Sequence, residues 1–262
     1  SKIFLDRETA SLQTKVLSRI MRSLIGKKRL PMLVVDHPSI VKNRQMFSAR
    51  GAGILGFSMF GQDITYALDN DMRLNLPAIE AFLKRHQHGP IFIFGFTFMI
   101  WQYLLVPLLE NRNSINLDRG ILLHGGGWKK LASANVTNEE FKSKIESLLS
   151  INKVVNYYGM VEQTGTLYME CEHGFLHAPA YSDIIVRRPL DFSVAEVGES
   201  GLIQTLSILP LSYPGHSILT EDIGYIQGED DCKCGTLGKY FKVTGRIAKA
   251  EVRGCSDTHE TR

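Results

Sequence analysis

Short apolar runs alternate with amphipathic stretches over most of the first 156 residues of this 262-residue chain. The apolar runs are four to six residues long, which suits strands buried on both faces, and the longer stretches repeat their apolar positions with helical spacing. Strands that alternate with helices are typical of a mostly parallel sheet flanked by helices. We therefore predict an α/β fold, with strands at 31–36, 91–94, 120–124 and 153–156 and helices at 6–25, 76–86, 97–109 and 137–149.

Two further segments are rich in turn-forming residues. Residues 51–61 carry four glycines and are predicted to form a loop and a strand. After about residue 178, short apolar runs are separated by Gly, Pro and Asp, which is typical of antiparallel strands. We predict an α/β subdomain at 1–178, a smaller antiparallel β subdomain at 179–245 and a C-terminal segment at 246–262.

The composition argues against several classes of protein. A net charge of +3 with dispersed basic residues does not favour nucleic acid as a partner. The most apolar stretch, 89–109, is interrupted by two glycines and two prolines, so no membrane span is predicted. Four cysteines are too few for a disulfide-stabilised scaffold, which favours a reducing, cytoplasmic location.

The segment 153–165, KVVNYYGMVEQTG, combines features that suit a bound nucleotide. An apolar strand is followed by two aromatic residues, a glycine and, three residues later, a carboxylate. The ring of Tyr158 can stack on a base, Gly159 allows close approach of the backbone, and Glu162 can hold the Mg²⁺ that accompanies phosphates. An ordinary strand-to-helix turn is the alternative reading of this segment by itself.

Two downstream segments supply partners for such a nucleotide. Asp222 can accept both ribose hydroxyls through its two carboxylate oxygens, and Arg246 can donate to the same sugar. Residues 125–127, three consecutive glycines, also follow directly after a predicted strand. Because ligands of parallel sheets gather at the carboxyl ends of the strands, we expect 125–127 and 157–159 to line one crevice.

In these segments the chain resembles the adenylate-forming acyl-activating enzymes. Within them it is similar to the long-chain acyl-protein synthetases of the bacterial luminescence fatty-acid reductase complex. The segments that carry the resemblance are IFGFTFMIW at 93–101, LHGGGWKK at 123–130, YYGMVEQTG at 157–165, DIG at 222–224, GR at 245–246 and VRGCS at 252–256.

The resemblance implies that the chain binds ATP with Mg²⁺ and acts on a fatty acid. It implies that Glu162 binds the Mg²⁺ and serves in catalysis, and that Arg246 begins a hinge between two lobes. The fold implied is part of the large domain of an adenylate-forming enzyme, with an acyl- and adenylate-binding subdomain at 1–178. Nucleotide contacts are implied for Gly125, Gly126, Gly127, Tyr157, Tyr158, Gly159, Asp222 and Arg246.

The chain departs from the family pattern in three places. The wider family usually has Thr before the glutamate, where this chain has Val161, so a donor to the α-phosphate would have to be Gln163 or Thr164. The family hinge usually carries an acid soon after Gly-Arg, and Lys249 stands there instead. A Ser/Thr/Gly-rich phosphate loop is expected before residue 1, so we interpret the chain as a fragment that lacks it.

The resemblance also implies the reaction. A fatty acid carboxylate attacks the α-phosphate of ATP to give acyl-AMP, and the acyl group passes to Cys255 as a thioester for delivery to a fatty-acid reductase subunit. The neighbouring Arg253 favours the thiolate form of Cys255 that such a transfer needs. Two alternatives stay open: an acyl-CoA ligase of the phenylacetate-CoA ligase type, in which CoA replaces Cys255, and a non-catalytic fragment that binds an acyl group or a partner.

Cysteine and histidine are concentrated in two short segments. Cys171, His173 and His177 lie in one, and Cys232 and Cys234 in the other. Thiolates and imidazoles are the natural ligands of a tetrahedral structural Zn²⁺, and the Cys-x-Cys-Gly element resembles one in phenylacetate-CoA ligase-like enzymes. We predict a structural zinc site at Cys171, His177, Cys232 and Cys234, with glycine turns that carry incidental thiols as the alternative.

Overall fold

The computed structural model describes residues 3–41, 49–127 and 136–247. The chain divides into two compact units. Among the described residues, we call 25–156 the α/β unit and 3–24 with 157–247 the β unit. The subdomain boundary predicted at residue 178 falls inside the β unit, since the chain joins antiparallel strands from Tyr157 onward.

The α/β unit contains the parallel sheet that the short apolar runs predict. Its strands follow the order β2-β1-β3-β4-β5, and the pairs β1/β2, β1/β3 and β3/β4 are parallel. The strands are β1 Leu30–Val34, β2 Gly61–Tyr66, β3 Ile91–Phe96, β4 Gly120–Gly125 and β5 Lys153–Tyr158, which continues into the β unit. The helices are α2 Ala49–Ser58, α3 Leu76–Arg85, α4 Thr97–Ile100, a π-helical turn Trp101–Leu105, α5 Val106–Glu110 and α6 Asn138–Leu149, with a 3₁₀ turn at Pro38–Val41.

The core of this unit lies between the strands and the helices that follow them. Ile93 from β3, Phe82 from α3, Leu105 from the π turn and Phe141 from α6 are all buried in it. The sequence places α6 correctly because its first turn carries a capping residue: the Thr137 hydroxyl accepts from the backbone N–H of Glu140 at 3.1 Å.

The prediction of a loop and strand at 51–61 is wrong. The structure forms helix α2 over Ala49–Ser58 and begins β2 only at Gly61. Ile54 and Phe57 bury their side chains, and a Cβ on Gly53 would lie 3.1 Å from the ring of Phe96. Gly53 therefore allows close packing of the helix on the sheet, and the burial of Ile54 and Phe57 outweighs the poor helix propensity of the glycines.

The β unit is an antiparallel sheet, as predicted for the later part of the chain. Its strands follow the order β6-β7-β11-β10-β9-β8, and neighbouring strands are antiparallel. The strands are β6 Tyr168–Glu170, β7 Leu176–His177, β8 Ser182–Arg187, β9 Gly201–Ser207, β10 Ser217–Glu229 and β11 Lys239–Arg246, and helix α1 spans Arg7–Ile25. Tyr168, Ile184, Ile203 and Phe241 are buried at its centre.

Within the described ranges, every helix is too short or too polar to cross a membrane. The apolar stretch 89–109 accordingly forms β3 and the helical turns after it, whose residues pack into the core of the α/β unit.

Candidate functional site

Three residues that the sequence assigns to one nucleotide meet in the β unit. The hydroxyl of Tyr158 donates to Oδ2 of Asp222 at 2.8 Å, and Nε of Arg246 donates to Oδ1 of the same carboxylate at 2.9 Å. Asp222 and Arg246 stand directly opposite each other in the β10–β11 ladder. Their side chains are 14% and 28% exposed, so the group reaches the surface without being fully solvated.

The ladder positions this group from the sequence upward. Tyr158 is the last residue of β5 and pairs with Tyr168 of β6. Its ring packs edge-on to Phe241, with centroids 6.2 Å apart and planes at 83°, and lies 5.9 Å from the ring of Tyr168. The aromatic core of the sheet therefore fixes the ring plane of Tyr158, and the hydrogen bond to Asp222 fixes its hydroxyl.

Tyr158 is a neutral hydrogen-bond donor at any ordinary pH. Burial raises the pKa of its hydroxyl far above the usual value, and the negative charge of Asp222 raises it further. The Asp222 carboxylate forms an ion pair with Arg246, whose Nη1 also lies 3.5 Å from Oε2 of Glu221. A carboxylate offers about four lone-pair sites and these two contacts use two of them, so Asp222 can still accept from a ligand hydroxyl.

A threonine that the sequence reasoning missed supports Asp222. The hydroxyl of Thr220 accepts from the backbone N–H of Asp222 at 3.1 Å and donates to the carbonyl of Ile203 at 2.7 Å. It ties the bulged stretch of β10 to β9, where the register shifts between Leu219 and Ile223. The Thr-x-Asp spacing, in which a hydroxyl bonds a backbone N–H two residues on, is the signal that could have revealed it.

The loop after β5 holds Glu162 in a 3₁₀ turn, Val161–Gln163. Gln163 is buried, and its amide donates to the carbonyls of Thr205 at 3.2 Å and Gly215 at 2.8 Å. Gln163 therefore anchors the loop and is not a donor to a phosphate. Thr164 is exposed and its hydroxyl donates to the carbonyl of Val161 at 2.9 Å, so of the two residues it is the one that a ligand could reach.

Tyr157, Gly159 and Glu162 take positions that agree with the predicted strand end. Tyr157 pairs with Met169 across β5 and β6, and Gly159 follows β5 directly. Glu162 is half-buried. Their contacts with a nucleotide and a metal stay predictions.

The three glycines of residues 125–127 lie at the end of β4 in the α/β unit. Gly125 pairs with Phe96, and its carbonyl accepts from the hydroxyl of Thr97 at 3.0 Å. Gly126 has φ of +85°, and a Cβ there would come within 2.6 Å of the Phe96 ring. Gly127 is exposed with φ of +62°. The stretch is thus held tightly at Gly126 and is open at Gly127.

His124, beside these glycines, is a core residue. The Thr97 hydroxyl donates to Gly125, so it accepts from Nδ1–H of His124 at 3.0 Å, which places the ring proton on Nδ1. The ring rests on Phe141 with centroids 4.8 Å apart, and Nε2 has no hydrogen-bond partner among the described residues. Burial, and then the charge of Lys142, lowers the pKa of His124 to about 3.

A second polar group of the α/β unit was not anticipated. Asp36, just after β1, is buried and forms an ion pair with Arg50 at 3.0 Å between Oδ2 and Nε. Burial raises the pKa of Asp36, while Arg50 opposes the shift. A carboxylate directly after a buried strand, as in VVD, is the sequence signal for such a residue at a carboxyl strand end.

The cysteine and histidine residues of the β unit converge. The ligand atoms of Cys171, His177, Cys232 and Cys234 all lie within 4.8 Å of one another, and Sγ of Cys234 is 3.4 Å from Nε2 of His177. Burial raises the pKa of the Cys232 thiol to about 11. His173, which the sequence grouped with them, instead lies at the surface, 39% exposed and 3.7 Å from Glu172.

Several predicted residues lie outside the described ranges. They are Lys249, the segment 252–256 that contains Cys255, and Trp128, Lys129 and Lys130 of the glycine-rich block.

Solved structures share this fold. A 2-hydroxyisobutyryl-CoA ligase in complex with 2-HIB-AMP and CoA matches with a TM-score of 0.65 and 14% identity, covering 94% of this chain and 51% of that chain. The O-succinylbenzoate coenzyme A synthetase of Bacillus subtilis, in complex with ATP and magnesium ion, matches with a TM-score of 0.55 and 17% identity, covering 90% of this chain and 46% of that chain. The fold is therefore that of part of an adenylate-forming ligase.

A comparison with family models identifies the family to which the chain belongs. The model of the LuxE acyl-protein synthetases matches residues 1–262, so the chain belongs to that family. It is 26% identical over 173 residues to the long-chain-fatty-acid–luciferin-component ligase of Aliivibrio fischeri, covering 64% of this chain and 43% of that protein. The chain thus spans less than half of that relative and about half of the solved structures.

Proposed function

We propose that the protein containing this chain activates a fatty acid with ATP. The carboxylate oxygen of the acid attacks the α-phosphorus of ATP, the bond from that phosphorus to the bridging oxygen breaks, and pyrophosphate leaves with the electron pair. The products are acyl-AMP and pyrophosphate. Membership of the acyl-protein synthetase family supports this reaction, and the convergence of Tyr158, Asp222 and Arg246 on one another is the observation that carries it.

Each of these three residues has a role that its surroundings support. Tyr158 presents a fixed aromatic ring for the adenine, while its hydroxyl stays protonated and holds the Asp222 carboxylate in place. Asp222 accepts from the ribose hydroxyls with its remaining lone pairs. Arg246 is assigned to the same ribose, as the family resemblance implies, and its Nε lies 2.9 Å from the Asp222 carboxylate.

The predicted cofactor of the reaction is Mg²⁺, and Glu162 is the residue assigned to it. A half-buried carboxylate in a loop that Gln163 anchors suits a hard cation with oxygen ligands. When bound, the ion neutralises charge on the phosphates. The glycines Gly125, Gly126 and Gly127 are proposed to contact the nucleotide, as the family resemblance implies.

The second step is assigned to Cys255. Its thiolate attacks the carbonyl carbon of acyl-AMP, the bond to the phosphate oxygen breaks, and AMP leaves, so that a protein thioester remains. A fatty-acid reductase subunit would then receive the acyl group. The name of the Aliivibrio fischeri relative, a luciferin-component ligase, agrees with such a delivery. A cytoplasmic location, predicted from the cysteine content, suits a free reactive thiol.

Two other functions compete with this one. The solved structures with this fold include CoA ligases, which favours CoA as the acyl acceptor. Thioester that forms only when CoA is added, with no acylated protein, would support that alternative. The second alternative is a chain that binds an acyl group or a partner without catalysis. Acyl-AMP formation by the whole protein but not by this chain would support it.

Binding of ATP measured by calorimetry tests the assignment of the nucleotide site. Asp222→Asn removes the charge that orders Tyr158 and Arg246, and we expect ATP to bind about 10- to 100-fold more weakly, the equivalent of one or two charge-assisted hydrogen bonds. Asp191→Asn is the matched control because Asp191 accepts from the backbone N–H and the hydroxyl of Ser193 in its own turn and has no contact with Asp222, Tyr158 or Arg246 among the described hydrogen bonds and ion pairs. Equal ATP affinity in Asp222→Asn and wild type would refute the assignment.

A further inference from the structure

We infer that Cys171, His177, Cys232 and Cys234 bind one Zn²⁺ that clamps the β10–β11 hairpin to the turn between β6 and β7. This inference does not depend on the proposed reaction, because all four residues and both hairpin strands lie in the β unit and the argument uses their geometry alone.

The four side chains already approximate a tetrahedral site. Donors around a zinc ion with Zn–S bonds of about 2.3 Å lie roughly 3.5–3.8 Å apart. The distance of 3.4 Å between Cys234 Sγ and His177 Nε2 is close to that spacing, and every other pair of ligand atoms lies within 4.8 Å.

Backbone hydrogen bonds shape the two turns that present the thiols. The carbonyl of Cys232 accepts from the N–H of Gly235 at 2.9 Å, which curls the chain around the side chains of Cys232 and Cys234. The N–H of Cys171 donates to Phe175 at 2.8 Å, and its carbonyl accepts from Gly174 at 2.9 Å. Tight turns that aim thiols at a common point are the usual frame of a structural zinc site.

Two contacts with Tyr240 position the histidine ligand. His177 ends β7 and pairs with Tyr240 of β11. The rings of these two residues stack with centroids 5.5 Å apart and planes at 17°. The stack orients the imidazole so that its Nε2 faces the thiol of Cys234 at 3.4 Å.

The donor set selects the ion. Three thiolates and one imidazole suit Zn²⁺, a borderline-soft cation, and disfavour Mg²⁺ and Ca²⁺, which need oxygen ligands. Four protein ligands complete a tetrahedral shell and leave no position for a substrate. The ion would therefore be structural and separate from the chemistry assigned to Glu162.

An ion at this position would fix the register of the β10–β11 hairpin. Cys232 and Cys234 lie in the connection between β10 and β11, next to the pair Glu229–Lys239, while Asp222 and Arg246 form the pair at the opposite end of the same hairpin. Fixing the connection fixes the register of the ladder, because a slip of one residue would turn every side chain to the other face. The zinc would thus hold Asp222 and Arg246 in register from a distance.

Metal analysis of the purified protein tests the inference. We expect one zinc per chain, loss of that zinc in Cys234→Ser and in His177→Ala, and full retention in His173→Ala and Cys255→Ser. The two controls remove a histidine next to the site and the one cysteine outside it. Zinc retained by Cys234→Ser and His177→Ala, or lost equally from His173→Ala, would overturn the site.

Replacement of the ion tests the wild-type protein directly, so the result does not depend on how well a variant folds. Refolding with Co²⁺ should give the visible absorption of a tetrahedral thiolate site, and Zn²⁺ should displace it. Removal of the metal should speed amide hydrogen exchange throughout β10 and β11. Wild-type protein that takes up neither ion, or exchange that is unchanged without metal, would contradict the inference even if ATP still binds.

Discussion

The histidine after β4 provides a stability test of the α/β unit that is independent of any ligand. His124 is buried with its Nδ1–H donated to Thr97, and burial lowers its pKa to about 3 from 6.5 in the unfolded chain. Below pH 6.5, His124 therefore binds a proton in the unfolded chain but stays neutral in the folded chain until the pH approaches 3. The stability that neutral His124 contributes is complete above pH 6.5 and is lost progressively as the pH falls towards 3.

The size of this effect follows from the same pKa values. One pKa unit corresponds to about 1.4 kcal/mol, so lowering the pH from 7 to 5 should reduce the free energy of unfolding by about 2 kcal/mol through His124 alone. The ring of His124 contacts Phe141, which shares a core with Trp101, so tryptophan fluorescence reports on the unfolding that matters.

The assay is urea unfolding at pH 7 and pH 5 of wild type and His124→Asn. The asparagine amide keeps a donor near Thr97 and cannot titrate, so the variant should be less stable at pH 7 but should lose about 2 kcal/mol less than wild type on acidification. His37, whose pKa burial also lowers, contributes equally to both proteins and cancels. An equal loss of stability in the two proteins would refute the burial of a neutral imidazole.

Three further changes test the two units. Tyr158→Phe should lower the free energy of unfolding by about 1.5–3 kcal/mol, because it loses the hydrogen bond to the Asp222 carboxylate. It should still bind ATP more tightly than Tyr158→Ala, which also loses about 1–3 kcal/mol of stacking on the adenine. Hydrogen exchange measures the first effect and calorimetry of ATP binding measures the second. Gly126→Ala should destabilise the α/β unit by about 1–3 kcal/mol more than Gly127→Ala in urea unfolding, because only the first Cβ meets the Phe96 ring. Equal losses in the two glycine variants would contradict that contact. Glu162→Gln should raise the Mg²⁺ concentration needed for acyl-AMP formation, while Gln163 still anchors the loop. An unchanged Mg²⁺ requirement would exclude Glu162 as a ligand of the metal.

The regular elements of both units were predictable because their signals are local. The helical repeat and the capping threonine at 137 place α6 within a residue of its observed start. The alternation of short apolar runs with turn residues predicts β8, β9 and β10. In each case the residues that decide the structure lie next to one another in the sequence.

Features that depend on distant packing were missed. The glycines of α2 look like a loop until the ring of Phe96 is placed against Gly53. Gln163 looks like a phosphate donor until the carbonyls of Thr205 and Gly215 are found beside its amide. These contacts join residues about 40 to 50 positions apart, and no pattern within a short window encodes them.

The candidate site falls between these extremes. The residue types and their order predicted that Tyr158, Asp222 and Arg246 act together, and the ladder joins them through one carboxylate. The sequence did not reveal that the Tyr158 hydroxyl and the Arg246 guanidinium both bind the carboxylate of Asp222. That arrangement arises from the pairing of β10 with β11, which brings positions 222 and 246 face to face.

Photolabelling of the full-length protein with azido-ATP, followed by mass spectrometry of the peptides, tests the central claim most directly. Joint binding of one adenosine by Tyr158, Asp222 and Arg246 predicts label in the segment 157–165 or on the β10–β11 hairpin, and unlabelled ATP should suppress it. Label that ATP displaces from other segments, with none in these, would contradict a nucleotide site at this carboxylate.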